Sequence, residues 1–354
     1  MRVAVAMSGG MDSTATALLL RREGHDVIGF HMRLHSHSDA TWESASVLAA
    51  RIDVPIREVD LLEDFARIVI RPFVEEYGVG RTPSPCPICN RFIKVSRLLD
   101  MARSLGCERL ATGHYARIRN TSEGPGLFRG LDRKKDQSYF LFMLTKELLA
   151  GLVFPLGDST KAGVKEFLKL EGVGVWESEE SQELCFMQAN DYRDFLRQTR
   201  RNSRPGPIID LQGTVLGRHK GIMEYTVGQR RGLGISRPYP MYVIRIDAAT
   251  DTIVVGPKEE TFVSSLRIRD INLLTTSPPD VGDRFLIKVR STAIPARSTV
   301  TYRARDHMEL TFDEPQSAIA PGQAAVLYDE DRVIGGGWIE SPKRPADAGY
   351  YKPS

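Results

Sequence analysis

The chain has 354 residues, 42% of them apolar and 26% charged, with a formal net charge of +3 and four cysteines. That balance predicts two or three globular domains with ample core and excludes a disordered or fibrous polymer. The apolar runs fall far short of the ~20 residues that cross a bilayer, and four cysteines cannot staple a chain of this size. The chain enters an apolar strand at once, leaving no room for a leader. The expectation is a cytoplasmic protein with no membrane partner, whose thiols stay reduced and available for chemistry or metals.

From the start to about residue 115, apolar runs alternate with amphipathic stretches. Strands are predicted at 2–7, 26–32, 56–60 and 109–112, and helices at 13–23, 41–51, 62–77 and 90–105. Such alternation argues for an α/β fold with a parallel sheet and helices on both faces. Ligands of such sheets gather at the C-terminal ends of strands, so the loop after the first strand, Met32 and Gly113-His114 converge on one crevice. A hairpin is predicted around Glu123-Gly124-Pro125-Gly126, with helices near 137–149 and at 161–170. A basic helix at 191–201 leads into a turn at Pro205-Gly206-Pro207. Beyond it the period becomes two, with strands at 242–247, 252–256, 285–289, 309–312 and 324–328. Turns at Pro278-Pro279-Asp280, Pro321-Gly322 and Gly335-Gly336-Gly337 separate the later runs, a pattern that predicts a small C-terminal β-barrel. The tail from Pro342 is polar and expected to be disordered. The domain limits that follow are 1–190, a small central domain at 191–265, a barrel at 266–342 and a tail at 343–354.

Residues 6–13 read Ala6-Met7-Ser8-Gly9-Gly10-Met11-Asp12-Ser13 and turn from the first strand into the first helix. Glycines in such a turn let backbone N–H groups point at phosphate oxygens, and the helix N-terminus adds positive potential. Ser8 and Ser13 offer hydroxyls, and Asp12 is a candidate Mg²⁺ ligand. No Gly-Lys-Ser/Thr is present, so this is not a loop that grips a γ-phosphate with its own lysine. It resembles the PP-loop of ATP pyrophosphatases, which cleave ATP between the α- and β-phosphates and leave an adenylated intermediate.

A second stretch, Thr82-Pro83-Ser84-Pro85-Cys86-Pro87-Ile88-Cys89-Asn90, carries three prolines that fix an extended backbone. Asn90 is a candidate cap for the following helix, which would put Cys89 where the helix dipole lowers a thiol pKa. Two thiols at C-x-x-C spacing favour chemistry over core packing. Cys185 lies in Ser181-Gln182-Glu183-Leu184-Cys185-Phe186, and Cys107 reads as core. His31, His35 and His37 read as a solvated loop and not as a metal site.

Together these stretches resemble the tRNA-specific 2-thiouridylases of the MnmA/TrmU type over nearly the whole chain. The resemblance rests on Ser8-Gly-Gly-x-Asp-Ser13, Thr82-Pro-x-Pro-x-x-x-Cys-Asn90, Ala111-Thr-Gly-His-Tyr115, Arg129-Gly-Leu-Asp132 with Lys135-Asp-Gln-Ser-Tyr-Phe140, and Phe154-Pro-Leu-Gly157. It continues in Leu184-Cys-Phe186, Gly206-Pro-Ile208, Tyr225-Thr-Val-Gly-Gln-Arg230 and Pro321-Gly-Gln323. It implies an enzyme that adenylates C2 of the wobble uridine of certain tRNAs and replaces its oxygen by sulfur. On that reading Ala6 to Ser13, Met32 and Gly113 hold ATP, with Mg²⁺ on the pyrophosphate. Ser84, Pro85 and Cys86 match the strip that touches the target base. His114, Lys135, Asp136, Gln137 and Gln323 match tRNA contacts, and Arg290 is the one match to a shortened barrel motif. Cys89 matches the nucleophile, and Cys185 the cysteine that takes a persulfide from a sulfur-carrier protein. Cys86 stands where most members carry Asp. The exchange yields three thiols, which is also the pattern of tRNA thiolases that hold a [4Fe–4S] cluster with one open iron. Two sulfur routes stay open, persulfide and disulfide exchange or cluster-borne sulfide, with the C-x-x-C ligand pattern leaning to the cluster.

Charge placement supports RNA binding independently. Arg193, Arg197, Arg200, Arg201 and Arg204 cluster in sequence, and His219, Lys220, Arg230 and Arg231 follow. The rival readings are another PP-loop enzyme, such as an amide-forming ligase, and a non-catalytic tRNA- or nucleotide-binding relative. A ligase has no need of Cys86, Cys89 and Cys185 together.

Overall fold

β1 (Arg2–Ala6) is apolar along its last four residues and buried there, as a strand covered on both faces requires. The computed structural model describes residues 1–35, 39–173, 184–187, 192–199 and 204–343. In it β1 is central to a five-stranded parallel sheet with β2 (Asp26–Arg33), β3 (Ile56–Asp60), β4 (Arg109–Ala111) and, after the hairpin strands β5 (Ala116–Thr121) and β6 (Gly124–Arg129), β7 (Leu152–Val153). The order is β3-β2-β1-β4-β7. Two apolar clusters, one containing Ala4 and Phe30 and the other Val3 and Val5, cover its two faces. Chain order reverses at β1 and β4, so the loops following these strands open on one crevice. The strands and crossover helices match the predicted α/β pattern closely, with α1 at Met11–Arg22 and α2 at Asp39–Arg51.

Two longer helices depart from prediction in one respect. The helix at 62–78 passes through a π-helical turn at Ala66–Ile70, and the helix at 85–104 through another at Cys89–Val95. The second begins at Pro85, five residues before the predicted start, and Ser84 holds the N-cap position. Asn90 is therefore no cap. Its side chain is buried and donates from Nδ2 to the Phe140 carbonyl at 3.0 Å. The helix predicted near 137–149 is reduced to a 3₁₀ turn at Ser138–Leu141 and a short helix at Lys146–Ala150.

The central strands are β8 (Gly206–Ile209), β9 (Val215–His219), β10 (Tyr242–Asp247) and β11 (Thr252–Gly256), in the order β10-β11-β8-β9. The strands at 242–247 and 252–256 pair within this sheet, inside the limits expected for the central domain. Six strands form the barrel: β12 (Phe262–Leu273), β13 (Arg284–Lys288), β14 (Ala296–Arg303), β15 (His307–Ser317), β16 (Ala324–Asp329) and β17 (Arg332–Lys343). Pairing of β12 with β17 closes the ring. Gly335, Gly336 and Gly337, predicted as a turn, lie inside β17. A Cβ on Gly336 would stand 2.6 Å from the Ala325 carbonyl oxygen, so close packing and not a turn selects glycine there. Pro342 and Lys343, expected to open a disordered tail, instead end β17 opposite Leu266 and Ser265 of β12, and residues 344–354 lie outside the described residues. The β5–β6 hairpin leaves the first domain and joins the barrel at β17.

Candidate active site

The nucleotide cradle forms where β1 ends. Gly9 has φ +80°, and a Cβ there would approach the Thr41 carbonyl to 2.9 Å, so the bend requires glycine. The Ser8 N–H donates to Ser13 Oγ at 3.2 Å, and the Ser13 hydroxyl donates to the Gly10 carbonyl at 2.9 Å, which holds the loop against α1. Met7 and Met11 are buried beneath it, and Ala6 ends β1 in the core. Asp12, in the first turn of α1, accepts from the Tyr115 hydroxyl at 2.8 Å and from Lys161 Nζ at 2.7 and 2.8 Å. Gly113, following β4, presses on Asp12: a Cβ there would stand 3.0–3.1 Å from its atoms. Met32, next to last in β2, is half-buried.

One residue beyond Gly113 the chain enters a second compartment. A cavity of about 410 Å³ is lined by Cys86, Cys89, Lys94, His114, Gln137 and Cys185, with further walls from Ser84, Pro85, Phe140, Phe186, Ser291 and Gln323. Parallel-sheet domain, helix 85–104, the 184–187 segment and barrel loops all contribute. Tyr115 ties the two compartments, since its N–H donates to Gln137 Oε1 at 3.0 Å while its hydroxyl reaches Asp12. Gln323 Nε2 donates to the Thr82 carbonyl at 3.0 Å, fixing the proline-stiffened stretch against the barrel.

The three thiols therefore face one space, and all are unpaired. Burial pushes the Cys86 thiol up to about 11, with Cys185 adding to the rise and Lys94 opposing it. Burial pushes the Cys89 thiol up to about 12, again against the pull of Lys94. The expectation that a helix N-terminus lowers Cys89 is overturned. The helix starts four residues earlier, Cys89 sits at its π-helical turn, and desolvation outweighs a dipole of less than one unit charge. Cys185 is exposed at the rim yet hemmed in by enough protein that its thiol is also raised, Lys94 opposing. His114 is held down at about 3 by burial, so its imidazole is neutral, and its Nδ1 lies 2.6 Å from the Thr112 hydroxyl. Cys86, Cys89 and Cys185 line one cavity. Among the described residues no three His, Cys, Asp or Glu groups converge to hold a single metal ion.

Three successive family models match the chain: a tRNA methyl transferase HUP domain over residues 1–189, its PRC-barrel domain over 193–257 and an aminomethyltransferase β-barrel domain over 263–339. A relative from Geobacter metallireducens, tRNA-specific 2-thiouridylase MnmA, is 44% identical over 96% of this chain and 97% of its own length. The chain belongs to the MnmA family. The MnmA of Syntrophotalea carbinolica is 45% identical over 95% of this chain and 98% of its own length. Among solved structures, the U34-tRNA thiolase NcsA from Methanococcus maripaludis with its [4Fe-4S] cluster matches 56% of this chain and 65% of its own at 17% identity and a TM-score of 0.36. That likeness is too loose to bear on mechanism.

Within this MnmA-type architecture the expected RNA-side residues divide. Ser84, Pro85, Cys86, His114, Gln137 and Gln323 line the thiol cavity. Arg290 is exposed, one residue before the cavity-lining Ser291. Lys135 is half-buried in the turn that follows Asp132. Asp136 faces inward: its carboxylate has no exposed surface and accepts from the Gly130 and Ser138 N–H groups and from Arg129. It shapes the turn that carries Lys135 and Gln137. Of the basic run, Arg197 is bound to Glu224 and Asp194, and His219 is buried. Arg200 and Arg201 lie outside the described residues, whereas Arg230 and Arg231 are exposed. Lys94 and Lys161 escaped sequence reasoning. Lys94 lies in the π-helical turn and Lys161 opens a helix, and the fold alone brings each to the site.

No described helix is long and apolar enough to cross a membrane.

Proposed function

We propose that this chain is an ATP-dependent tRNA uridine 2-sulfurtransferase acting on the wobble uridine, in the cytoplasm, where thiols stay reduced. The observation that carries the reading is Cys86, Cys89 and Cys185 on one cavity, tied through Tyr115 to a PP-loop. A uridine carbonyl is a poor electrophile with a poor leaving group. Attack of its C2 oxygen on the α-phosphate of ATP expels pyrophosphate and leaves AMP as a good leaving group. Backbone N–H groups of Ser8 to Gly10 and the hydroxyls of Ser8 and Ser13 cradle the departing phosphates. Asp12 would hold Mg²⁺, which neutralises the pyrophosphate charge when bound.

Sulfur then arrives by the persulfide route. A persulfide on Cys185, loaded by a sulfur-carrier protein, attacks C2 through its terminal sulfur, and AMP departs with the oxygen. The Cys89 thiolate attacks the Cys185 sulfur, releasing 2-thiouridine and leaving a Cys89–Cys185 disulfide for an external thiol to reduce. Exposure of Cys185 and burial of Cys89 suit these roles, one open to a donor and the other guarded. Lys94 favours the thiolate at each sulfur. The third thiol, Cys86, favours a second reading. A [4Fe–4S] cluster held by Cys86, Cys89 and Cys185 would supply sulfide from its open iron.

The test measures AMP and pyrophosphate release by the anaerobically purified enzyme with and without tRNA, then iron content and 2-thiouridine yield on one Cys86→Asp preparation. Absence of tRNA-linked AMP release overturns the function. An iron-free, fully active variant removes the cluster, because carboxylate is a poor ligand for cluster iron. An inactive variant with wild-type folding removes the simple persulfide route.

A further inference from the structure

The PP-loop carries no lysine, yet a lysine from 149 residues away sits on it. Lys161 opens the helix Lys161–Leu170, which packs against α1. Its ammonium meets both oxygens of Asp12 at 2.7 and 2.8 Å and lies 5.8 Å from the centre of the Tyr115 ring. Its backbone is fixed: Lys161 N–H donates to Asp132 Oδ2 at 3.1 Å, and Thr160 caps the helix by accepting from the Gly163 N–H. The side chain is only 15% exposed, so little of its charge is screened by water.

Asp12 Oδ1 already accepts from two donors, Tyr115 and Lys161. A divalent cation on this carboxylate competes with the ammonium, which already holds both of its oxygens and would be repelled by the added charge. The yielding ammonium stays tethered within a side chain's length of the phosphate cradle, where polyphosphate is the anion that can replace Asp12. We propose that Lys161 is a catalytic residue of adenylation: it parks on Asp12 in the nucleotide-free protein and turns to the departing pyrophosphate when nucleotide binds. The proposal rests on the ATP-pyrophosphatase reading above and deepens it by supplying from a distant helix the cation that the loop lacks.

The direct probe is inorganic pyrophosphate, titrated calorimetrically without metal against wild type, Lys161→Met and Lys161→Arg. Removing one charge-assisted hydrogen bond should weaken binding about tenfold to a hundredfold in Lys161→Met, with most of the affinity regained in Lys161→Arg. Half-saturating Mg²⁺ for ATP binding should fall in Lys161→Met, because Asp12 is freed of its competing cation. A static pin predicts the opposite, since loosening the loop raises the Mg²⁺ requirement. Pyrophosphate affinity equal to wild type in Lys161→Met, or a raised Mg²⁺ requirement, overturns the proposal. Tryptophan fluorescence on the same samples confirms folding, and Lys161→Arg decides the case if the methionine variant unfolds. Wild-type AMP release, measured separately, tests the underlying reading, so the two can fail independently.

Discussion

His114 follows Gly113, the residue that lets the chain close on Asp12, and reaches the thiol cavity as a neutral ring. Its folded pKa of about 3 lies below the unfolded value of about 6.5. Between those values the unfolded chain binds a proton that the folded chain refuses, so stability falls as pH drops below about 6.5. His219, also held down by burial, acts in the same direction. His114→Gln should therefore flatten, without abolishing, the loss of urea midpoint between pH 7 and pH 4. Equal slopes in variant and wild type would show that His114 is charged in the folded state. At this scale much of the site was legible. Cys86 and Cys89 announce themselves by C-x-x-C spacing, and Asp12 and Gly113 by place after predicted strands, whereas Cys185 was singled out by the family resemblance. The thiol pKa direction did not, because helix phase and burial depend on Pro85, and not Asn90, opening the helix. Lys94 and Lys161 carry no local signal at all.

Elements are legible where period and flanking turns agree, as at β3 and the helix Lys161–Leu170, whose observed limits are the predicted ones. They mislead where a residue has two uses. Glycine marks turns, but in β17 it marks crowding, and Gly206-Pro207 opens β8 instead of breaking the chain. The β5–β6 hairpin was legible as a hairpin but not as an annex of the barrel. Glu123 at its turn makes that attachment, accepting from the hydroxyls of Thr275 and Thr276 and from Arg332. These donors, Thr276 first and Arg332 next, hold its carboxyl down at about 2. Among the described residues the buried Arg332 Nε finds no acceptor, so the guanidinium depends on this carboxylate. Glu123→Ala should lower stability by about 1–3 kcal/mol, read as a fall in the urea midpoint at pH 7. An unchanged midpoint would mean that strand pairing between β6 and β17 suffices.

Across the whole molecule the thiol cavity exists only because the first domain, the 184–187 segment and the barrel close on one another. Sequence placed the three parts in order but could not show that Ser291 and Gln323 complete the wall. The same assembly sorts the basic residues. Arg197 is spent on Glu224 within the protein, and His219 is buried. Arg230 and Arg231 remain exposed on the central domain, in a loop whose left-handed Gly232 and Gly234 follow. If one uridine enters the cavity, the bound tRNA extends well beyond it, and exposed arginines outside the cavity contribute mainly through phosphates. Removing a single arginine–phosphate pair should reduce the slope of log affinity against log salt by roughly 0.7–0.9. The double variant Arg230→Ala, Arg231→Ala should thus bind tRNA with a slope shallower by about 1.4–1.8 if both arginines meet phosphates. AMP release at saturating tRNA should stay near wild type, since neither residue lines the cavity. An unaltered slope would turn this face away from the RNA and leave the electrostatic footprint to the arginines near residue 200.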